Sequence, residues 1–430
     1  MACFANQRCI IKHDGREGRT LILPSRFLFG EFVIMRKILF AVNNMNINGI
    51  KTSLLHILNS LDSEKYSIDL LLFEKSGALL NSIPTNVDVI SIDGFATIKE
   101  MAYLSFGNAA IHLIKNKRFI DLFWYCLFSL KSHLLNDIGI LYKYLFKKIP
   151  SLSKEYDYAI SYFGPLDVLS YFVLYKVPAK KRDQWIHFDV NMVNFNLIFA
   201  KKYFPKFDRI IAVSEKAKYA LNGILPTLNI KSYILPSPVE SIIKLSQVDT
   251  VHYKHGKLQI VTIGRLAPQK GPDIALAVAN ELKKYGLKFE WHFVGGGILF
   301  DSLQEQILSS HLDDCFFLEG EQINPYKFLP DADLYVQPSR HEGYGLTIQE
   351  AKAVNLPIIC TDFAGADEQI INGISGLIVE CNIKDITTAI IDLSSHPEKR
   401  KLFSSNLCTY TSLTSNTHRF QDLFPEDLNV

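Results

Sequence analysis

Apolar residues along this chain are gathered into short, almost uninterrupted runs that begin after residue 34 and alternate with polar loops. The first run, KILFAV at 37–42, is followed by the polar loop NNMNING and then by TSLLHILNSL, whose apolar positions recur with helical spacing. This succession predicts a strand, a loop and a helix. Because the run is apolar at consecutive positions, it is typical of a parallel strand that is covered on both faces.

Runs of the same kind predict two consecutive series of buried strands. Between the series, LPSPVE at 235–240 and the polar stretch after it indicate a domain boundary. Two α/β domains are therefore expected, with a ligand in the crevice at the carboxyl ends of their strands. The predicted strands are 37–42, 68–73, 87–92, 156–163, 182–188 and 209–214, followed by 258–264, 289–296, 315–320, 333–339, 357–362 and 376–380; the segment 273–286 has a helical pattern.

The predicted division of the chain follows from these runs. The leader is expected to be poorly packed, because it has no place in the two-domain pattern. The segment MRKILFAV, which starts at Met35, resembles the natural beginning of a first strand. The tail is a candidate for crossing back to the first domain. The parts are a leader at 1–34, an N-terminal domain at 35–236, a linker at 237–257, a C-terminal domain at 258–410 and a tail at 411–430.

Composition narrows the class of protein. The 430 residues are 48% apolar and 21% charged with a net charge of +2, which is typical of a globular protein without a general attraction to nucleic acid. The seven cysteines form no CxxC pair, so neither a zinc site nor a disulfide framework is indicated. The start lacks the apolar core of a signal peptide, and the longest apolar stretch, 119–130, is too short to span a bilayer. A cytoplasmic location is expected.

Two cations occupy the loop GRLAPQKG at 264–271, between a predicted strand and a predicted helix. Arg265 and Lys270 would then emerge at the carboxyl end of the strand, where ligands bind. An arginine fork and a lysine point charge on one loop can neutralise a diphosphate. The alternative is that both are solvated surface cations.

The stretch RHEGYGLTIQEA at 340–351 carries Glu342 and Glu350 on either side of two glycines. It is expected to lead from a strand into a helix, where outward-facing amides and the helix dipole favour an anion. The glycines would let a ligand approach the backbone, and the carboxylates could accept hydrogen bonds from sugar hydroxyls. For Glu350 an alternative is a capping box that begins at Thr347.

EGYGLTIQE resembles the E-x7-E motif of retaining glycosyltransferases of family 4, which have the GT-B fold. The resemblance extends over most of Met35 to about Glu380 and includes GRLAPQKG, FVGGG, LPDADLYVQPSRHEGYGLTIQEA and FAGADEQIINGISGLIVE. It implies two Rossmann-like domains with parallel sheets that face a central cleft. It also implies transfer of a sugar, with retention, from a nucleoside diphosphate sugar to a glycan or lipid-linked saccharide hydroxyl during surface-polysaccharide synthesis. The nucleotide sugar is a substrate, and no cofactor or metal is expected.

The resemblance also implies roles for individual residues. Arg265 and Lys270 would bind the donor diphosphate, Glu342 the donor sugar and Glu350 the ribose. His187 would face the donor sugar, although a lone histidine at a strand end is more often a packed structural residue. Additional donor contacts are expected from the amides after Glu342 and from the amino-terminal loop: Gly343, Tyr344, Gly345 and Gly49.

The sequence departs from the family pattern at two places. Asn355 stands where the family often has glycine, and asparagine also tolerates the left-handed conformation that ends a helix. Only Gly49 remains where many relatives have paired glycines, which leaves the acceptor preference open. Asp189, beside His187, is a weaker candidate than that histidine. Ser214 resembles a family serine, but a helix cap explains it equally well.

Two other motifs point to no site. DAD at 331–333 resembles the D-x-D metal motif of the other glycosyltransferase fold, but it precedes its strand and would lie at the wrong end of the sheet. GGG at 295–297 lacks the G-x-G-x-x-G spacing of a dinucleotide site, which argues against an NAD enzyme.

The segment 111–150 mixes aromatic and aliphatic residues with cations. Such a segment can lie on an anionic membrane surface, and relatives often meet the membrane and a lipid-linked acceptor through this part of the first domain. The alternative is that the aromatic residues form core and the lysines a solvated face. Seven cations (Lys115, Lys117, Arg118, Lys131, Lys143, Lys147 and Lys148) stand against Asp121 and Asp137.

Two other functions remain open at this stage. A nucleotide-sugar 2-epimerase would use a similar two-domain fold, although the E-x7-E arrangement disfavours it. A scaffold that binds nucleotide sugar without turnover is the second, although the intact arginine, lysine and both glutamates argue against it. An epimer formed from donor alone would indicate the first, and product formation would exclude the second.

Overall fold

The protein is described here by a computed structural model, which covers residues 35–164, 166–188, 190–191, 195–233, 239–253, 256–414 and 424. The predicted leader and Asp189 lie outside the described residues. Two separate parallel sheets are present, one on each side of the predicted boundary. The prediction of two Rossmann-like domains in a GT-B arrangement is therefore confirmed.

The first sheet has seven strands in the order β3-β2-β1-β4-β5-β6-β7, and every pairing is parallel. Its strand order reverses between β1 and β4, which creates a topological switch point at the carboxyl edge. The strands are β1 Arg36–Val42, β2 Tyr66–Leu72, β3 Val87–Ser91, β4 Tyr156–Ser161, β5 Ala179–Ile186, β6 Arg209–Ala212 and β7 Ile230–Ser232.

Helices cover both faces of this sheet, as its uninterrupted apolar strands require. Before α1, the Asn48 side chain accepts a hydrogen bond from the backbone N–H of Lys51, which caps the helix. The helices are α1 Gly49–Ser60, α2 Lys99–Tyr103, α3 Phe106–Lys115, α4 Phe119–Leu134, α5 Ile138–Leu145, α6 Asp167–Lys176, α7 Leu197–Tyr203 and α8 Glu215–Ile224.

The second sheet has six parallel strands in the order β10-β9-β8-β11-β12-β13, with its switch point between β8 and β11. Its strands are β8 Leu258–Ile263, β9 Phe289–Val294, β10 Phe316–Gly320, β11 Leu334–Gln337, β12 Ile358–Thr361 and β13 Leu377–Val379. The remaining helices are α9 Val239–Ser246, α10 Pro272–Tyr285, α11 Phe300–Ser309, α12 Leu346–Ala353, α13 Ala366–Gln369, α14 Ile383–Ser395 and α15 Pro397–Thr414.

Two segments near the predicted domain limits contact a domain core. Ile242 of α9, within the predicted linker, is fully buried among apolar residues of the second domain. Phe424, within the predicted tail, packs against Tyr66 and Tyr158 of the first domain, with ring centroids 5.9 and 5.0 Å away. The Arg36 guanidinium also donates to the Phe424 carbonyl at 2.9 Å. The chain therefore touches the first domain again after the second sheet.

Each predicted strand is present, with limits that differ by a few residues. The strand β7 was missed, because its three residues Ile230–Ser232 include Lys231 and Ser232 and form no apolar run. The predicted helix at 273–286 is α10, which begins at Pro272 and ends before Gly286.

Candidate active site

The two switch points lie at the carboxyl edges of the sheets. The loop between β11 and α12 leaves this edge of the second sheet and contacts the first domain. At Gly343 this loop lies directly against the backbone of His187, which follows β5. The Ser214 hydroxyl donates to the Gly343 carbonyl at 3.1 Å, and the Tyr344 side chain is buried within the first domain's core. The loop that carries the predicted motif therefore forms a contact between the domains.

A lysine and a glutamate from the two predicted motifs form an ion pair in this cleft. Lys270 Nζ lies 2.5 Å from Glu342 Oε1, and their side chains are only 16% and 9% exposed. The same carboxylate oxygen accepts from Gln337 Nε2 at 2.8 Å and from the Ser339 hydroxyl at 2.9 Å. Three donors thus hold Glu342 in one place, which preorganises this wall of the cleft.

Gln337 is itself fixed in orientation. Its Oε1 accepts from the Tyr335 hydroxyl at 2.6 Å and from the Thr347 hydroxyl at 2.9 Å, so its Nε2 must point toward Ser339 and Glu342. Gln337 is 1% exposed. Sequence reasoning missed this supporting residue, although a glutamine in an otherwise apolar strand was a signal for it.

The two loops are joined by Arg340 and by a glycine. The Arg340 amide donates to the Gln269 carbonyl at 2.8 Å, and its guanidinium forms two hydrogen bonds with Asp273, at 2.8 and 2.6 Å. Gly271 has φ +66, and any Cβ there would overlap the Pro338 carbonyl. The sequence therefore places Lys270 beside Glu342 through a glycine that permits close approach and an arginine that ties the loops.

Arg265 has a different environment. Its side chain is exposed, and its guanidinium contacts the Gln269 side-chain oxygen at 3.4 Å. It lies on the same loop as Lys270 but makes no ion pair among the described residues. Its guanidinium is therefore available to an anionic ligand, whereas the Lys270 ammonium is already beside Glu342.

The capping-box interpretation of Glu350 is wrong. Helix α12 begins at Leu346, with Gly345 in the left-handed conformation at φ +78 as its N-cap, so Glu350 lies inside the helix. The Thr347 hydroxyl, which the capping box required, donates instead to Gln337. A β-carbon at Gly345 would lie 2.8 Å from the Phe363 ring, which explains why the turn uses glycine there.

The Glu350 carboxyl has an unusual proton affinity. It is half-buried and accepts from the Tyr326 hydroxyl at 3.3 Å. Burial raises the pKa of Glu350 to about 7, although the Tyr326 hydroxyl and the Lys270 ammonium act in the opposite direction. A ligand that donates hydroxyls to this carboxyl would favour its ionised form.

His187 is buried and neutral. Its Nε2 lies 2.6 Å from the Tyr162 carbonyl oxygen, and because a carbonyl can only accept, Nε2 carries the proton. Burial lowers the pKa of His187 to about 3. Nδ1 is then an acceptor. The ring therefore has the structural role that was the alternative, and it is the His187 backbone that lies against Gly343 of the second domain.

Gly49 and Ser214 lie on the first-domain side of the cleft. Gly49 opens α1, and a Cβ there would lie 3.7 Å from Leu346 Cδ1, so the starts of α1 and α12 are neighbours. The Ser214 hydroxyl accepts from the Ala217 amide at 3.1 Å and also donates to the Gly343 carbonyl. Ser214 is thus both a helix cap and a contact between the domains.

The DAD motif lies at the opposite end of the second sheet, as the sequence predicted. Asp333 accepts from the Gln259 amide at 2.9 Å before β11 begins, and Asp331 pairs with His252 at 2.7 Å. Among the residues that the structure covers, no group of three or more His, Cys, Asp or Glu side chains is arranged to hold a metal ion. These aspartates hold strand ends together.

Comparison with known proteins finds a family similarity in the second domain. Residues 249–407 match the family "Glycosyl transferases group 1". The matched residues contain the second sheet and most of its helices. The family match includes every predicted donor-site residue on the second domain's loops, from Arg265 to Glu350.

Curated relatives share roughly half of the chain. An uncharacterized glycosyltransferase of Methanocaldococcus jannaschii is 27% identical over 48% of this chain and 56% of its own length. The poly(ribitol-phosphate) alpha-N-acetylglucosaminyltransferase of Staphylococcus aureus is 28% identical over 54% of this chain and 52% of its own. The chain thus spans about half the length of these curated relatives.

Solved structures extend the likeness to nearly the whole chain. TarM of S. aureus superposes with a TM-score of 0.65 at 16% identity, covering 91% of this chain and 98% of TarM. Anabaena HepE, solved in complex with UDP-glucose, gives 0.63 at 16% identity over 90% and 99%. At this identity the likeness establishes the fold, and the chain has the GT-B fold.

Proposed function

We propose that this protein is a glycosyltransferase that moves a sugar from a nucleoside diphosphate sugar to a hydroxyl of a glycan or lipid-linked saccharide, with retention at the anomeric carbon. The observation that carries the proposal is the Lys270–Glu342 pair, held by Gln337 and Ser339 where the Gly343 loop meets His187. Cation, carboxylate and backbone amides then surround one interdomain cleft. A nucleotide sugar needs that combination.

Each residue has a distinct proposed role. Arg265 and Lys270 stabilise the negative charge that develops on the leaving diphosphate, so no metal is required. Glu342 and the amides that follow it contact the donor sugar, and Glu350 accepts hydrogen bonds from the ribose. The bond from the anomeric carbon to phosphate breaks while the acceptor oxygen attacks from the same face. The acceptor proton passes to the leaving phosphate.

The acceptor class is proposed from relatives whose names state a polymer. One acts on poly(ribitol-phosphate), and an Erwinia amylovora relative, 32% identical over 33% of this chain and 37% of its own length, is named for amylovoran biosynthesis. We therefore place this chain in surface-polysaccharide synthesis, at the cytoplasmic face of the membrane where activated sugars and lipid-linked intermediates meet.

The direct test is mass spectrometry of products from a panel of nucleotide sugars with lipid-linked saccharide acceptors. One donor–acceptor pair should yield an acceptor heavier by one sugar residue, and the reaction should continue in EDTA. An epimerised donor formed without acceptor would instead indicate an epimerase. Tight binding of a nucleotide sugar without product from any pair would indicate a non-catalytic scaffold. Retention is checked by the anomeric coupling constant of the product.

Glu350→Gln should weaken the binding of the nucleoside diphosphate while leaving the melting temperature near that of the wild type. An amide accepts fewer hydrogen bonds than a carboxylate, and mispaired ribose hydroxyls cost about 1–3 kcal/mol. The pH dependence should also change. Because the pKa of the free carboxyl is about 7 and ribose donors favour the ionised form, wild-type affinity should rise with pH from 6 to 8.

Calorimetry with the nucleoside diphosphate at pH 6, 7 and 8 measures both effects. The ligand's own ionisation affects both proteins equally, so the ratio of the two affinities isolates Glu350. That ratio should grow by up to about tenfold across the range. Equal affinities at pH 8 would show that Glu350 does not bind the ribose.

Membrane contact is proposed through an exposed apolar surface on α3 and α4. Part of the aromatic content of this region is core, since Tyr125 is 2% exposed and Phe128 stacks on Tyr144 with centroids 4.6 Å apart. The rest faces outward. We define the helical apolar surface as Phe106, Ile111, Ile114, Phe119, Ile120, Phe123, Leu127, Leu130 and Leu134, which are 45–77% exposed.

Cations accompany this surface. Lys115, Lys117 and Lys131 are exposed on the same helices and their ends, and no acidic partner of theirs occurs in the described part of the chain. None of the described helices combines the length and apolar character needed to cross a bilayer. Apolar side chains that enter the interface, with lysines toward anionic headgroups, are the arrangement of a peripheral contact.

The double variant Ile120→Glu, Leu134→Glu should lose binding to vesicles that contain phosphatidylglycerol, by about tenfold or more, because both side chains are over 70% exposed on the surface and would carry charge into the interface. Co-sedimentation measures this. The matched control is the double variant Ile298→Glu, Ile323→Glu. It changes two isoleucines of the second domain that are even more exposed, and it should bind vesicles like the wild type. Equal binding by all three proteins would contradict this assignment.

A further inference from the structure

Lys51, in the first turn of α1, is a fully buried lysine without an acidic partner. Its side chain is 0% exposed. Its Nζ donates to the Asn43 side-chain oxygen at 2.8 Å and lies 3.3 Å from the centroid of the Phe163 ring. A lysine ammonium has three donors, and in the described residues no carboxylate lies within ion-pair distance of this one.

Lys51 lies where a ligand-binding side chain is expected and not on the protein surface. Asn43 directly follows β1, Phe163 follows β4 and His187 follows β5. These elements meet at the switch point of the first sheet, on the carboxyl edge that faces the cleft. The start of α1, whose free amides carry the positive end of the helix dipole, lies beside the start of α12.

Burial makes the ammonium unfavourable as long as nothing compensates its charge. Burial lowers the pKa of Lys51 to about 6, so that most molecules hold a neutral amine at pH 7. Among the described residues, the titratable neighbours His187 and Tyr162 offer no charge, because burial keeps His187 neutral and raises the pKa of Tyr162. A buried cationic group adds no stability in this setting, and methionine would fill the same space at lower cost.

We propose that Lys51 binds an anionic group, a carboxylate or a phosphate, that the acceptor carries near the hydroxyl to be glycosylated. The inference rests on the proposed transferase function and assigns the acceptor class of the same cleft. Arg265 and Lys270, on the second domain, are assigned to the donor diphosphate. Lys51 belongs to the first domain. It would therefore form a second anion-binding site, on the acceptor side of the cleft.

The Phe163 side chain must move before this ligand can reach Lys51. Its ring is half-buried and lies over Nζ, and a rotation of the ring toward solvent would expose the amine. The contact of the amine with the ring then gives way to a charge-assisted hydrogen bond between the ammonium and the anion, which is stronger. Neutral acceptors would leave the ring in place.

A second consequence is a change of protonation. An anion beside Nζ favours the ammonium, so that its pKa rises on binding and the protein takes up a proton at pH 7. Neither the donor site nor a neutral sugar predicts such uptake from this domain. Proton uptake therefore reports on Lys51 independently of turnover.

The test uses calorimetry on protein saturated with uridine diphosphate, the nucleotide in solved complexes of the Anabaena neighbour. Glucuronate, glucose 6-phosphate and glucose are titrated at pH 7 in two buffers of different ionisation enthalpy. We expect at least one of the anionic sugars to bind tenfold or more tightly than glucose, with uptake of close to one proton. The uronate and phosphate arms distinguish the two sources of the anion.

Lys51→Met should abolish both the preference and the proton uptake while leaving the affinity for uridine diphosphate and the melting temperature unchanged. The matched control is Lys176→Met, because Lys176 is a half-buried lysine of the same domain that donates to the Ile149 carbonyl at 2.6 Å, away from the cleft. This control should behave like the wild type.

Two outcomes would overturn the proposal. One is equal binding of glucose and both anionic sugars to the wild type, and the other is an anion preference that Lys51→Met retains. In either case, transfer of sugar to any acceptor would show that the proposed function still holds. Failure of the function itself would appear differently, as the absence of product from every donor–acceptor pair.

Discussion

Replacing Lys270 with methionine is expected to lower kcat/KM for sugar transfer by about 10- to 150-fold. The ammonium lies in the cleft, 16% exposed, where a charge-assisted hydrogen bond to a phosphate oxygen contributes about 1.5–3 kcal/mol. If the charge develops on the diphosphate as the bond breaks, most of the loss should appear in kcat. Arg265→Ala should lose a contact of the same kind.

One alternative explanation for such a loss is the carboxylate that Lys270 leaves behind. Glu342 would then repel the diphosphate, and the double variant Lys270→Met, Glu342→Gln would recover activity. If Lys270 contacts the phosphate directly, the second change should bring no recovery and should lower transfer further, because Glu342 is proposed to contact the sugar. Initial rates of the two single variants and the double variant, at saturating and subsaturating donor, separate the two explanations.

The matched control for this series is Lys284→Met. Lys284 belongs to the same domain and forms an exposed ion pair with Glu281 at 2.7 Å, outside the cleft. Surface pairs of this kind contribute little, so its turnover should equal that of the wild type. Wild-type turnover by Lys270→Met and Arg265→Ala under both donor conditions would remove these residues from the donor site.

The fold was predictable because the sequence pattern is local and redundant. Strands such as β1 and β8 are buried on both faces over most of their length, so apolar residues stand at consecutive positions, and the parallel arrangement follows from that pattern. Strand β7 could not be recognised, because a three-residue edge strand with a lysine and a serine carries no such signal. The limits of the domains stay predictions.

The candidate site was predictable to the extent that adjacent strands bring their loops together. Lys270 follows β8 and Glu342 follows β11, which are neighbours across the switch point, and the structure pairs the two side chains directly. Their roles in binding a donor stay predictions. The capping-box alternative for Glu350 was wrong because the turn at Gly345 lets α12 begin at Leu346. A capping box with Thr347 as N-cap would have begun the helix two residues later.

Contacts between the domains were beyond prediction from sequence patterns. Nothing in the sequence shows that Tyr344 enters the core of the other domain or that Ser214 donates to the Gly343 carbonyl. Such contacts depend on how two independently patterned sheets come together. The buried Lys51 escaped notice for a related reason, since in the helical pattern of α1 it looks like an ordinary polar position.

Gly343→Ala should lower sugar transfer by more than tenfold while nucleoside diphosphate affinity stays within about threefold of the wild type. A Cβ at this position would overlap the His187 carbonyl oxygen and lie 2.7 Å from its carbon and 3.3 Å from the Phe188 nitrogen. These are backbone atoms of a buried strand end, so the two domains must separate to admit the methyl group. The Ser214–Gly343 hydrogen bond would break as well.

The two halves of this expectation have separate physical causes. Arg265, Lys270 and Glu350, which are assigned to the nucleotide, all belong to the second domain and keep their places when the cleft widens. Transfer also needs the acceptor, which we assign to the first domain, and a displacement of about 1 Å between reacting groups can cost two orders of magnitude in rate. Binding should therefore survive while turnover falls.

Gly223→Ala is the control for this substitution. It makes the same chemical change in α8 of the first domain, where a Cβ would meet no atom within 4 Å, so activity should be unaffected. Calorimetry with the nucleoside diphosphate and initial rates with the full substrates measure the two quantities for both variants. If Gly343→Ala turns over like the wild type, the contact between the Gly343 loop and His187 is not part of the state in which the sugar is transferred.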